Sequence, residues 1–145
     1  MNRKPKRNTQ AGVTLIEMLV VVTIIALFAA VVAPKLLNKT DAARKTAARV
    51  QINAFMTALG AYKIDTGLYP TNELGLRALR DKPQGVNNWQ GPYLPQEIPV
   101  DPWGRAFIYK YPGEHGDDPD VISYGADGTA GGEGNNADIV SWKSQ

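Results

Sequence analysis

The 145-residue sequence has no cysteine and a single histidine, His115. The first absence excludes a disulfide framework and a thiolate zinc site, and the second excludes His-rich zinc sites. No G-x-S-x-G, S-x-x-K or H-E-x-x-H spacing occurs, so no nucleophile or histidine pair has the company that catalysis needs. The chain is therefore not expected to be an enzyme. His115, within "PGEHGDDPD", is expected in a turn or on the surface. Acid is missing at one end: Arg3, Lys4, Lys6 and Arg7 all precede the first carboxylate, Glu17. The net charge of +2 misleads, because 16 basic residues less these four leaves 12 against 14 acidic. The basicity lies in a flank and not on a domain face, which excludes nucleic acid as a partner.

Behind that flank lies an apolar run of 21 residues, Val13 to Ala33, with Glu17 as its only charge. As a helix it spans about 30 Å, one hydrocarbon thickness. It is too long for an ordinary signal h-region, and Pro34 would directly succeed a cut after "FAAVVA". A basic flank stays in the cytoplasm, so the chain after Pro34 is expected outside it, anchored by a single membrane pass.

Helical periodicity continues beyond the apolar run. Ala48, Ile52, Phe55, Leu59 and Tyr62 alternate in steps of four and three, one stripe of an amphipathic helix. Ala43, Ala47, Val50 and Ala54 form a second, smaller-residue stripe. Gly67 is the expected C-cap. The pattern predicts one helix from Val13 to Thr66, bent or frayed at Pro34, whose ring removes a backbone donor. Residues 67–145 are rich in Pro and Gly, with a helical turn expected at Leu74 to Leu79. Three β-prone runs, Ala106 to Tyr111, Val121 to Tyr124 and Ile139 to Trp142, suggest a small antiparallel sheet laid on the helix stripe. The fold class is α+β, divided as residues 1–12, 13–66 and 67–145. Trp89, Trp103 and Trp142 are expected to pack the loops and not to form a sugar platform.

Charge is segregated. The outer helix carries Lys35, Lys39, Arg44, Lys45, Arg49 and Lys63 against Asp41 and Asp65. The C-terminal part carries Glu114, Asp117, Asp118, Asp120, Asp127, Glu133 and Asp138 against Lys143. Two readings follow: the two meet between neighbouring copies, with Arg44 and Lys45 on the basic side, or both are ordinary solvated faces.

A carboxylate in a bilayer core costs several kcal/mol unless paired or protonated. If the bond after Gly12 is cut, a new α-ammonium appears on Val13, at i and i+4 from Glu17. Between parallel, staggered chains, Glu17 of one copy can meet the ammonium of the next. The residues alone leave a second reading open, a snorkelling or protonated Glu17 in a monomeric anchor.

"YGADGTAGGEGNNADIVS" places oxygen-bearing side chains at Asp127, Asn135, Asn136 and Asp138 around a glycine-rich turn. Hard cations take such oxygens, and glycines let carbonyls turn inward. Regular signatures fit poorly. An EF-hand register from Asp127 has Thr129 and Gly131 at its third and fifth places, and a nonapeptide calcium repeat would occur only once. Spacing alone leaves both a cation loop and a solvated acidic turn.

"GVTLIE" after a basic leader resembles the class III signal of type IV pilin-like proteins, which a prepilin peptidase cleaves after the Gly and methylates. "YPT", "W-GPYL", "DPWG", "ISYGADG" and "ADI-SW" narrow the likeness to the major pseudopilins of type II secretion systems. Val13 stands where that family usually has Phe. The resemblance implies a pilin-like fold and processing between Gly12 and Val13. It implies a subunit that polymerises into a periplasmic pseudopilus, with Glu17 and Pro34 serving assembly. Implied partners are minor pseudopilins, an inner-membrane assembly platform and, indirectly, the outer-membrane secretin and its substrates. It further implies a structural calcium held by Asp127, Asp138, Asn136 and the main-chain oxygens of Tyr124 and Ser141. The rival readings are a type IV pilin or minor pseudopilin, and a monomeric membrane-anchored binding module.

Processing is directly testable. The mature chain from membranes should begin at Val13 by N-terminal mass, and replacing Gly12 with a bulky residue should leave the leader attached. Mature protein starting at Met1, or after Ala33, would refute the assignment.

Overall fold

One helix, α1, spans Leu15–Thr66 in the computed structural model. The structure describes residues 12–143, apart from the side chains of 33–39. The basic leader, and the surroundings of Pro34, Lys35 and Lys39, therefore lie outside the described residues. Backbone contacts divide the chain into two units between Leu37 and Asn38.

The first unit is the apolar half of α1. Leu15–Val32 has a mean hydropathy of 2.9, long and apolar enough to cross a membrane. Every large apolar side chain from Val13 to Val32 is exposed, so nothing among the described residues covers this surface. Thr23 donates its hydroxyl to the Leu19 carbonyl at 2.8 Å, which satisfies the group inside the helix.

The second unit is built on the outer half of α1. Ala48, Ile52, Phe55, Leu59 and Tyr62, the stripe read from the sequence, are all at most 2% exposed. The second stripe stays outside, with Val50 exposed. α1 ends at Gly67, whose φ of +89° and N–H to the Lys63 carbonyl (2.8 Å) form the expected left-handed cap. A 3-10 turn comes next at Gly75–Leu79, burying Leu76, Ala78 and Leu79. Strands β1 (Ile108–Lys110), β2 (Asp120–Ser123) and β3 (Ile139–Val140) form an antiparallel sheet in chain order. Ile108 pairs with Ile122, and Ile122 with Val140. The core joins the stripe to Leu79, Phe107, Val121 and Ile139, with the Phe55 and Phe107 rings edge to face at 5.1 Å.

Two motifs of the loop-rich segment are locks. In "WQGPYL", the Trp89 indole donates to the Ala78 carbonyl (2.9 Å) and Tyr93 donates to Asp65 of α1 (2.8 Å). A side chain at Gly91 would sit 2.5 Å from the Trp89 ring, so only Gly fits. Trp89 thus packs the loop, as expected. In "DPWG", Asp101 is a buried carboxylate, 3% exposed. Its Oδ1 accepts the N–H groups of Trp103 (3.0 Å) and Arg105 (2.8 Å), and its Oδ2 accepts the Ser123 hydroxyl (2.6 Å). One acid therefore closes a tight turn and ties it to β2.

Burial also shapes the tyrosines. The Tyr69 pKa is pushed up to about 12, by burial first and then by the Asp118 carboxylate that accepts its hydroxyl at 2.8 Å.

Asp101→Ala should lose three hydrogen bonds to a buried charge and leave their donors unsatisfied, about 3 kcal/mol in all. Chemical denaturation of the full chain in detergent measures it. Lys110→Ala, at an exposed pair with Glu114, should change stability by about 0.5 kcal/mol or less. Equal effects would mean that the turn is not a lock.

Candidate functional sites at the helix start and the glycine-rich loop

The helix start is capped by its own sequence. Thr14 Oγ1 accepts the Glu17 N–H at 3.3 Å, and the Thr14 carbonyl accepts the Met18 N–H at 3.2 Å. Thr14 is the N-cap and Glu17 the third helical residue, the T-x-x-E spacing of a capping box. Val13 thus lies one residue outside the helix and not on its first turn. The cap sets the start two residues later than periodicity suggested, and Val13 and Glu17 do not share a helical face. A carboxylate in the first turn also meets the positive end of the helix dipole. Among the described residues, Glu17 has no ion-pair partner.

The glycine-rich loop leaves β2 and returns as β3. Gly128 donates to the Tyr124 carbonyl (3.2 Å), Asp127 accepts the Thr129 N–H (3.2 Å), and Asp138 Oδ2 accepts the Gly131 N–H (2.8 Å). The other Asp138 oxygen, Oδ1, is buried without a partner. Continuing the β2–β3 register sets Tyr124 opposite Asp138, and a side chain at Gly125 would meet the Ala137 carbonyl at 2.9 Å. Tyr124, Asp127 and Asp138 thus belong to one end of the β2–β3 pair, and Asn136 ends a short 3-10 turn, Gly134–Asn136, two residues before Asp138. Ser141 does not join them. Its N–H donates to the Val121 carbonyl (3.0 Å) and its Oγ accepts the Val121 N–H (3.1 Å), three residues down β2, or about 10 Å. No group of three or more acidic or histidine side chains converges among the described residues. A cation here would therefore rely on amide and carbonyl oxygens as well.

Three supports of this loop were not read from the sequence. The Arg105 guanidinium donates to the carbonyls of Gly125 (2.7 Å) and Ala126 (3.2 Å). Asn135 donates to Asp41 of α1 (3.1 Å), and the Lys45 ammonium to the Gly134 carbonyl. Sequence separations of 20 residues and more carry no local signal for such pairs, although the Asp-Pro-x-Gly turn marks where Arg105 begins. His115 stacks on Trp142 at 3.6 Å with rings 5° apart, and its Nδ1 lies 2.9 Å from buried Asp120. It sits in the exposed turn expected of it.

A helix with an exposed apolar first half and a small antiparallel sheet packed on its second half are the parts of a pilin-like protein. The comparisons with known proteins agree. Residues 35–142 match the family model for type II secretion system protein G, and residues 7–33 match the prokaryotic N-terminal methylation motif. The type II secretion system core protein G of Pseudomonas aeruginosa is 43% identical over 140 residues, covering 94% of this chain and 98% of that one. Its counterpart in Vibrio cholerae serotype O1 is 42% identical, covering 97% of each chain. The crystal structure of the major pseudopilin from the type 2 secretion system of enterohaemorrhagic Escherichia coli superimposes with a TM-score of 0.62 at 34% identity, covering 75% of this chain and 95% of that one. The chain belongs to the type II secretion system protein G family. It is a pseudopilus subunit, of a structural and not an enzymatic family.

Proposed function

We propose that the processed chain leaves the inner membrane and polymerises into a helical filament in the periplasm. Minor pseudopilins join it, and an inner-membrane platform drives its growth. The growing filament helps push folded substrates through the outer-membrane secretin. The chain itself performs no chemistry; it supplies surfaces. The observation that carries this reading is the uncovered apolar surface from Val13 to Val32 in a family of pseudopilins. Such a surface needs lipid before assembly and other copies of itself afterwards.

Glu17 sets the register in this scheme. The Thr14 cap keeps Val13 off the helix, which favours the ammonium of another copy as partner. Glu17→Ala removes an intramembrane charge, so insertion should be normal or better. Assembly should fail, because the Val13 ammonium loses its partner. Membrane fractionation and filament yield read the two separately, and normal yield would overturn the pairing.

The loop is proposed to hold calcium through Asp127, Asp138, Asn136 and the Tyr124 carbonyl. Supporting this is the buried Asp138 Oδ1, an acceptor with no donor. A bound divalent ion supplies the positive charge that this oxygen lacks. By joining the end of β2 to the start of β3 it would stabilise the domain by roughly 2.7 kcal/mol at 100-fold its dissociation constant. Thermal melts of the full chain in detergent should shift upward with calcium and downward with chelator, and Asp127→Ala or Asp138→Ala should remove the difference. Identical melts for the parent chain would leave a solvated acidic turn.

A further inference from the structure

The cleft between α1 and the glycine-rich loop holds positive charge that the chain does not use. It is a cavity of about 470 Å³ lined by Lys45, Arg49 and Lys143, with Asp138 as its one carboxylate. Lys45 is occupied by the Gly134 carbonyl, and Asp138 Oδ2 by the Gly131 amide. Arg49 and Lys143 have no ion-pair partner among the described residues. The other described cations of the outer helix are engaged: Arg44 lies 3.8 Å from Asp41, and the Lys63 ammonium 4.4 Å from the Tyr69 ring centre. Arg44 and Lys45, the cations the sequence offered for an intersubunit contact, thus both have partners within the chain, whereas Arg49 and Lys143 have no ion-pair partner among the described residues.

The complementary surface is the exposed turn 113–118. Glu114 pairs with Lys110 and Asp118 accepts from Tyr69, whereas Asp117 has no partner among the described residues. The turn is held firmly: His115 is stacked on Trp142 and bonded to Asp120, and the Glu114 N–H donates to Asp120 at 2.8 Å. Trp142 lines the cleft, but Asp117 does not; Asp117 lines a separate hollow with His115 and Trp142. A turn fixed in this way carries an exposed carboxylate, Asp117, that has no ion-pair partner among the described residues.

We propose that the cleft receives the acidic turn of a second copy of this chain, with Asp117 facing Arg49 and Lys143. The inference rests on the chain being a pseudopilus subunit. The two surfaces are different patches of one molecule, so the contact is head to tail. Such contacts do not close on themselves unless the rotation makes a ring, and they otherwise propagate as open helical filaments. The fit is one of charge, because Arg49 and Lys143 in the cleft have no ion-pair partner among the described residues while its one carboxylate, Asp138, already takes the Gly131 amide on Oδ2.

The chain lacks cysteine, which makes the test clean. Full-length Arg49→Cys and Asp117→Cys are co-expressed in a secreting cell, and membranes are oxidised. A disulfide-linked dimer should form only when both variants are present, and the doubly substituted chain should give a ladder. Arg49→Glu and Asp117→Arg should each lower multimer yield by about fivefold, the factor that about 1 kcal/mol gives, and the pair together should restore it. Salt should weaken the parent contact in the same direction. Filaments that assemble normally while no disulfide forms would overturn the pairing. Loss with Arg49→Glu that Asp117→Arg does not repair would overturn it as well. Absence of multimers from the parent chain would instead count against the assembly reading itself.

Discussion

A sheet of three strands, the longest of four residues, cannot enclose a core, and without cysteine no covalent staple compensates. The outer half of α1 resolves this. Its stripe from Ala48 to Tyr62 supplies one wall of the core, and the loops supply most of the other. Everything in the second unit is arranged to keep loops on that stripe. The Tyr93 hydroxyl reaches Asp65, and Asn135 and Lys45 join the glycine-rich loop to the same helix. The helix is thus core element, scaffold and anchor, and a change to the stripe would be felt in all three.

Loops that serve as a wall need their polar backbone satisfied, and buried acids do this here. Asp101 takes two amides and a hydroxyl, and Asp120 takes the Glu114 amide and the His115 ring. Each acid fixes a turn to β2 or its edge. A carboxylate inside a protein is costly alone, but several donors converging on it make it a rigid node. Arg105 performs the converse task, a cation collecting two carbonyls where the glycine-rich loop begins.

These facts explain what the sequence disclosed. The stripe was legible because the 3.6 period repeats over four turns, and the strands because β-branched residues sit between turn residues. Gly67 was legible as a cap because a left-handed residue ends the helix there. The buried role of Asp101 was not, because Asp-Pro-x-Gly reads equally well as an exposed turn. The position of Ser141 needed the β2–β3 register, which strands of two to four residues cannot specify on their own. Charge segregation marked a basic and an acidic face but not which of their charges the chain already uses, such as Lys45 on the Gly134 carbonyl. Thr14 and Glu17 are a contrasting case: the T-x-x-E spacing itself marks the helix start two residues after Val13.

In the proposed assembly, the two units would divide the work by the physics of their surfaces. Apolar area from Val13 to Val32 is large and undirected, so it supplies attraction without fixing a position along the neighbouring helix. Exposed ion pairs are each worth about 1 kcal/mol or less, too little to hold a filament alone. Their geometry is specific, however, and wrong pairings are penalised. Apolar segments can therefore hold subunits together while charged contacts choose among the ways they slide. In the proposed pairing, the isolated carboxylate of Glu17 would extend that selection into the apolar layer, where an unpaired charge costs most. A filament built this way would be strong in sum and weak at each selective contact, so that a subunit could shift into register without breaking any single strong bond.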